Sequence, residues 1–377
     1  MRSRRYVLAA CCALVAAVFV GCGKKETTPT GGGGSGSSTS SAPAASGAKK
    51  RIVILTNGDH PFWDACEAGA KEAEKELKLA DSGLEVSFQR ANFTVPGQVD
   101  KLRQYSLETD IAGVGISVYD DTSPAIADEL KKLKEMGVKI VTIDGDVDRS
   151  RYRDVRFAYL GTDNAIGGKE LGRSAKALRP DGGKFAVFVG NEGNANAKGR
   201  IRGFVEGAGD KFQQVELLND NGKPEVARKN VRDALDRHPE IDTLVGIWAY
   251  NGPAIVDVVE ERGLLKKATL VTFDADTGSI KSMEDGKLDV MVVQNPFNMG
   301  FQGVKLLKAL VKDDQAVVKE MYPNHGQPDG DLFSTGLKVV VPDAGSPITK
   351  EMLEPATELL KFSDFRTWLK EYKLKCS

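Results

Sequence analysis

Short apolar runs rich in Val and Ile recur along the chain from residue 51 onward, and helical periodicity follows most of them. We predict nine strands, at residues 52–55, 85–88, 111–116, 139–143, 157–160, 184–189, 243–247, 268–273 and 290–293. We predict helices at residues 62–79, 96–108, 123–136, 164–178, 198–209, 224–237, 252–262, 277–285 and 298–312. Strands without apolar–polar alternation that lead into helices are typical of parallel sheets covered on both faces. The pattern predicts an α/β protein, and its length suits two doubly wound lobes better than one wide sheet.

Polar and aromatic side chains cluster directly after the predicted strands. His60, Phe62 and Trp63 follow the first strand, and Ser117 follows the third. Later strands are followed by acids, amides and further rings, among them Asp144, Asn191, Asn194, Asn196, Trp248, Tyr250, Asn251, Asp274 and Gln294. Because ligands of such sheets bind at the carboxyl ends of the strands, we expect these side chains to line a site. Rings cover the C–H faces of a sugar while carboxylates and amides bond its hydroxyls, so this set favours a neutral sugar over a phosphate or a lipid.

The first 22 residues have the pattern of a secretion signal. Three arginines within residues 2–5 precede an apolar stretch, residues 6–20, that is too short for a comfortable membrane span. Small residues before Cys22 resemble a bacterial lipoprotein signal, in which Cys22 becomes the lipidated first residue, although Phe19 stands where Leu is usual. An ordinary secretory signal is the alternative. Residues 23–50 are rich in Gly, Ser, Thr and Ala and predict a flexible tether. We therefore expect a periplasmic or cell-surface protein anchored by lipid to a bacterial membrane.

Charge and cysteine usage exclude several classes of partner. The net charge is -1, which leaves no basic surface for nucleic acid. Of five cysteines, three lie in the signal, Cys66 lies on the apolar face of the first helix, and Cys376 is the penultimate residue. A disulfide between the last two is conceivable outside the cytoplasm. No Cys/His spacing suggests a metal site, and we expect neither metal nor cofactor.

Seven short segments follow one another along the chain: HPFWDACEAGAKEAEKEL, VTIDGD, LGTDNAIGGKELG, AKGRIRGF, WAYNGPA, VTFDADT and VVQNPFNMG. In this order and spacing they resemble the signatures of the ribose- and galactose-type periplasmic binding proteins, over about residues 50–345. The resemblance implies the type 1 periplasmic binding fold, in which two similar α/β lobes are joined by three hinge crossings. It also implies a sugar, most simply a monosaccharide, held between the lobes and delivered to the permease of an ABC transporter. A sugar-sensing receptor that signals to a kinase or chemoreceptor fits the same pattern.

The resemblance also implies which residues contact the sugar. The matching positions are an aromatic pair, two acids, an arginine and two amides, namely Phe62, Trp63, Asp144, Asp274, Arg200, Asn251 and Gln294. Two positions depart from the ribose pattern. His60 replaces an Asn, and Gly145 replaces an Arg directly after the acid. Losing that Arg removes a fork of donors from the first lobe, so the departures disfavour ribose itself but not a sugar.

The same signatures divide the chain into lobes. We predict a first lobe of residues 51–160 plus 296–322, a second of 161–293 plus 323–345, and a C-terminal extension of 346–377. The extension holds Phe362, Phe365, Trp368 and Leu369 at helical spacing and should pack on a lobe. We expect a monomer and no enzyme. Paired carboxylates could serve a carbohydrate-active enzyme such as a glycosidase, but none has a dedicated activating partner.

Overall fold

A computed structural model describes residues 49–372 and 374–376. The predicted signal, Cys22 and nearly all of the tether lie outside these residues. The strands are β1 (Lys50–Leu55), β2 (Leu84–Gln89), β3 (Ile111–Ile116), β4 (Lys139–Ile143), β5 (Tyr159–Gly161), β6 (Gly183–Val189), β7 (Phe212–Asn219), β8 (Thr243–Gly246), β9 (Thr269–Phe273), β10 (Val290–Gln294), β11 (Leu332–Ser334), β12 (Leu337–Val341) and β13 (Thr357–Lys361). The first strand thus begins at Lys50, one residue inside the predicted tether.

Helices follow most of these strands. They are α1 (Phe62–Glu76), α2 (Val95–Tyr105), α3 (Pro124–Glu135), α4 (Arg149–Tyr152), α5 (Asn164–Leu178), α6 (Ala195–Ala208), α7 (Pro224–Arg237), α8 (Asn251–Glu261), α9 (Thr277–Glu284), α10 (Pro296–Val311), α11 (Gln315–Met321) and α12 (Phe362–Glu371). Helix α1 buries Trp63, Cys66, Ala70 and Ala73, the apolar face that its periodicity predicts. Within the described residues, no helix has the length and apolar character needed to cross a bilayer.

Two sheets form the cores of two lobes. The first has the strand order β11-β5-β4-β3-β1-β2, and all of its pairs are parallel. The second has the order β13-β12-β10-β9-β8-β6-β7 and is parallel except where β12 pairs with β10. Apolar clusters cover both faces of each sheet. The predicted fold class, two doubly wound parallel-sheet lobes, is confirmed.

The chain crosses between the sheets three times. It leaves the first sheet after β5 to form α5, returns after β10 to form α10, and leaves again between β11 and β12. Our predicted boundary for the last crossing differs from the structure, which pairs β11 with β5 in the first sheet. Residues 323–334 therefore belong to the first lobe and not to the second. Strand β11 has only three residues, which is too short for its apolar pattern to be recognised from the sequence.

Charged contacts hold β11 in the first lobe. Asp331, directly before the strand, is 3% exposed. It accepts hydrogen bonds from the guanidinium groups of Arg149, Arg153 and Arg156, with donor–acceptor distances between 2.6 and 3.0 Å. Burial alone would raise the pKa of Asp331, but hydrogen bonds from Arg156 and Arg153 outweigh it and hold the pKa at about 2.

The C-terminal extension completes the second lobe. Strand β13 adds to the edge of the second sheet beside β12, and α12 buries Phe362, Phe365 and Leu369 in the core of that lobe. Beyond the helix, the ring of Tyr372 lies 4.5 Å from that of Phe297, at the start of α10 in the first lobe. The extension therefore touches both lobes. Cys66 and Cys376 are both buried free thiols.

Candidate functional site

A cavity of about 360 Å³ lies between the lobes, at the carboxyl ends of the strands of both sheets. The first lobe contributes the loops after β1, β2, β3 and β4, and the second those after β6, β7, β8 and β9. Its wall is formed by Asn57, His60, Phe62, Trp63, Phe93, Tyr119, Asp144, Gly190, Asn191, Asn194, Asn196, Arg200, Asn221, Gly222, Trp248, Ala249, Tyr250, Asp274 and Gln294. The structure thus brings seven of the nine proposed contact residues to one wall: His60, Phe62, Trp63, Asp144, Arg200, Asp274 and Gln294.

The two lobes present their acids in the same way. Asp144 follows β4 and Asp274 follows β9, the fourth strand of each lobe. Both have left-handed backbone conformations, with φ of 63° and 64°. Each backbone N–H donates to a carbonyl of the neighbouring strand, Leu160 for Asp144 and Val292 for Asp274. Asp tolerates this conformation better than most residues, and here it turns a carboxylate into the cavity.

Asp144 has little compensation for its charge. It is 9% exposed, and the hydroxyl of Ser117 lies 3.5 Å from its Oδ2. Burial raises the pKa of Asp144 to about 6, opposed by the charge of Arg200 and increased by that of Asp274. Both of these neighbours belong to the second lobe, so the two lobes are close enough at this point to interact electrostatically.

Arg200 and Asp274 form a linked group in the second lobe. Arg200 is 2% exposed, donates to Asn164 Oδ1 at 2.9 Å and to the Ile247 carbonyl at 3.0 Å, and lies 3.8 Å from the centre of the Phe273 ring. Its Nη1 lies 3.7 Å from Asp274 Oδ2. Burial raises the pKa of Asp274, opposed by Arg200 and by a 2.8 Å hydrogen bond from Gln294 Nε2.

Aromatic rings occupy both lobes of the wall. Phe62 and Trp63 pack edge to face at 5.0 Å, and Trp248 and Tyr250 lie 6.5 Å apart in the second lobe. Amides fix both indoles, because Trp63 Nε1 donates to Asn57 Oδ1 and Trp248 Nε1 donates to Asn196 Oδ1, each at 3.2 Å. Rings held in this way form rigid surfaces for an apolar ligand face.

Ser117 and Asn251 do not reach the wall. Asn251 is fully buried, donates to Asp220 Oδ2 at 2.9 Å, and accepts from the Trp248 backbone N–H at 3.0 Å. Asp220 also accepts from the Tyr250 hydroxyl. Burial raises the pKa of Asp220, opposed by the hydrogen bonds from Tyr250 and Asn251. Asn251 therefore positions Trp248 and Tyr250, and Ser117 supports Asp144.

The family model described as "Periplasmic binding protein domain" matches residues 51–315. The chain belongs to this family. It is 26% identical to the D-allose-binding periplasmic protein of Escherichia coli (strain K12), over 72% of this chain and 87% of that protein. It is 24% identical to the ribose import binding protein RbsB of Salmonella typhimurium, over the same shares of the two chains. A solute binding protein of Burkholderia graminis, solved in complex with D-arabinose, has the same fold, with a TM-score of 0.67 and 23% identity over 82% of this chain and 99% of that chain.

Members of the family are binding proteins, so this periplasmic binding protein is not an enzyme, and the family implies a place outside the cytoplasm. The part of the chain that the structure describes holds no group of three or more His, Cys, Asp or Glu able to bind a metal ion. The resemblance did not indicate several wall residues of this binding protein. Tyr119, Trp248 and Tyr250 follow predicted strands, whereas Phe93 and Asn221 do not stand out in the sequence. Asn221 and its neighbour Asp220 follow β7, which the apolar pattern missed.

Proposed function

We propose that the protein captures a sugar between its lobes and delivers it to the permease of an ABC transporter. The observation that supports this best is the convergence of rings, carboxylates, amides and one guanidinium from both lobes on one cavity. A sugar offers apolar ring faces and a rim of hydroxyls that both donate and accept, and this wall provides partners for each. The relatives named above bind D-allose and ribose, which fits a site for one sugar unit.

Each part of the wall has a separate task in this proposal. The rings of Phe62, Trp63 and Trp248 cover the faces of the sugar. Asp274 accepts hydrogen bonds from sugar hydroxyls while Arg200 and Gln294 hold its carboxylate in place. Because closure of the lobes excludes water, every hydroxyl must find a partner in the wall, and the wrong sugar leaves a buried group unpaired.

We further propose that the mature protein is a monomer anchored through lipid on Cys22. The lipoprotein-like signal and the Gly- and Ser-rich residues 23–50 support this proposal. A binding protein on such a tether stays beside the membrane that holds its permease.

The experiment is a calorimetric screen of the purified protein against neutral pentoses, hexoses, polyols and amino sugars, with the best ligand then titrated into Asp274→Asn. In this variant an NH2 donor replaces one carboxylate oxygen, so either Gln294 Nε2 or the sugar hydroxyls lose an acceptor. The binding free energy should therefore weaken by about 1–3 kcal/mol. Asp210→Asn, at an exposed position away from the cavity, is the control. Absence of binding to every sugar would refute the proposed function, and an unchanged affinity in Asp274→Asn would remove Asp274 from the site.

A further inference from the structure

The charges of the cavity wall do not balance. Among the described residues that line it, the side chains with a fixed charge are Asp144, Asp274 and Arg200. His60 also lines the cavity, and the Phe62 backbone N–H donates to its Nδ1 at 3.2 Å. A third carboxylate, that of Asp220, is fully buried directly behind Tyr250 and Asn251. In and directly behind this wall, three carboxylates therefore accompany one guanidinium among the described residues.

The one guanidinium is committed to the second lobe. Arg200 pairs with Asp274, its Nε and Nη1 donate to Asn164 and to the Ile247 carbonyl, and its plane lies against Phe273. It reduces the negative potential at Asp144 but forms no ion pair with it within 4 Å. Asp144 consequently brings an unpaired carboxylate to the wall from the first lobe, while more than nine-tenths of its surface is buried.

The first lobe has no room for the cation that the ribose pattern places next to this acid. A Cβ on Gly145 would lie 2.6 Å from the Val118 carbonyl oxygen and 3.0 Å from Ser117 Oγ. The Val118 backbone N–H also donates to the Gly145 carbonyl at 3.0 Å, so the loop after β3 is bonded against this position. Position 145 therefore supplies no cation beside Asp144, and a ligand could bring one.

We propose, building on the sugar-binding function above, that the ligand is an amino sugar whose protonated amine binds Asp144. A neutral sugar could donate hydroxyls to this carboxylate, but it would leave an uncompensated charge in a closed cavity, which is costly. An ammonium group supplies both the charge and three donors. The aromatic wall suits the same ligand, because ring faces attract cations as well as C–H groups.

The test compares matched ligands by calorimetry on the full mature protein at pH 7. D-glucosamine, D-galactosamine and D-mannosamine are each titrated beside the neutral parent hexose and the N-acetyl derivative, together with neutral pentoses and polyols. We expect one amino sugar to bind at least tenfold more tightly than its parent and its N-acetyl derivative. In Asp144→Asn the preference for the amine over the parent should fall below threefold, and Asp210→Asn should keep it.

The pH dependence provides a second measurement on the unaltered protein. The groups that face Asp144 are Ser117, Arg200, Asp274, Cys66 and the Tyr159 hydroxyl, which donates to the Asp144 carbonyl. Protonation of Asp144 removes the charge that holds the amine, so affinity for the amino sugar should fall about tenfold from pH 7 to pH 5.

The outcomes separate this inference from the function on which it rests. A neutral parent that binds as tightly as its amino derivative overturns the inference and leaves sugar binding in place. The same holds if a pentose or polyol binds more tightly than every amino sugar. If no sugar binds, both proposals fail. Because the comparison of ligands uses the unaltered protein, the result does not depend on whether Asp144→Asn folds.

Discussion

Asp144 shows how a single buried acid can oppose folding at the wall of a cavity between two lobes. The residue is buried and its backbone is in the left-handed conformation. Its carboxylate lies 3.5 Å from the hydroxyl of Ser117. A charge in such a place destabilises the folded state until a ligand compensates it. The sequence could predict that an acid ends this strand, but not that its charge is unpaired. That depends on Arg200, whose bonds to distant residues are visible only in the fold.

The first prediction concerns the stability of the unliganded protein. Because burial raises the pKa of Asp144 to about 6, the folded state holds its proton more tightly than the unfolded state does. The free energy of unfolding should therefore decrease as pH rises from about 4 to 6, and Asp144→Asn should remove this decrease. At pH 8 the variant should be more stable than the wild type by about 2–3 kcal/mol in urea unfolding without sugar.

Asp128→Asn, at an exposed position on α3, is the matched control and should leave both values unchanged. If Asp144→Asn is less stable than the wild type at pH 8, the carboxylate has a stabilising partner, and burial of its charge does not destabilise the folded state.

At the scale of elements, apolar runs identified the central strands but not the edges. Strand β7 is half exposed and has the sequence FQQVELLN, in which polar residues interrupt the apolar run that would indicate a strand. Strand β11 has only three residues. The pairing of β11 with β5 joins segments some 170 residues apart in the chain, and no local pattern encodes it. Three arginines around Asp331 make the pairing specific.

We predict that Asp331→Asn weakens the anchoring of β11 and lowers the free energy of unfolding by about 3–5 kcal/mol at pH 7, because three guanidinium groups lose their shared buried partner. The pKa of Asp331 is lowered to about 2, so this stabilisation is complete above about pH 4 and is lost as pH falls toward 2. The difference between the two proteins should therefore shrink below pH 4 in urea unfolding.

Asp329→Asn is the comparison for this variant, since Asp329 also pairs with Arg149 but its side chain is 74% exposed. Its effect should stay below about 1 kcal/mol. Equal losses in the two variants would mean that the burial of Asp331 is not what matters.

For the molecule as a whole, three crossings predict a hinge between the lobes. A bound sugar that contacts both walls should favour closure, so small-angle scattering should give a smaller radius of gyration with the best ligand than without it. Asp274→Asn at the same sugar concentration should show a smaller change. A tight ligand that produces no compaction would contradict a closing hinge.

The placement of the whole molecule depends on Cys22. Cys22→Ser removes the thiol sulfur to which the proposed lipid would attach, so the variant should appear in the soluble fraction while the unaltered protein stays with membranes. Retention of the variant on membranes would show that another segment anchors the protein.

Because the chain passes back and forth between the two lobes, neither lobe can be completed early during synthesis. The first sheet needs β11, at residues 332–334, and the second needs β13, at residues 357–361. A chain growing from its amino end therefore has neither sheet complete until nearly all of it exists. Non-local pairing of this kind slows folding. A chain that folds slowly stays unfolded for longer after synthesis. An unfolded polypeptide is also the form that can pass through a membrane pore.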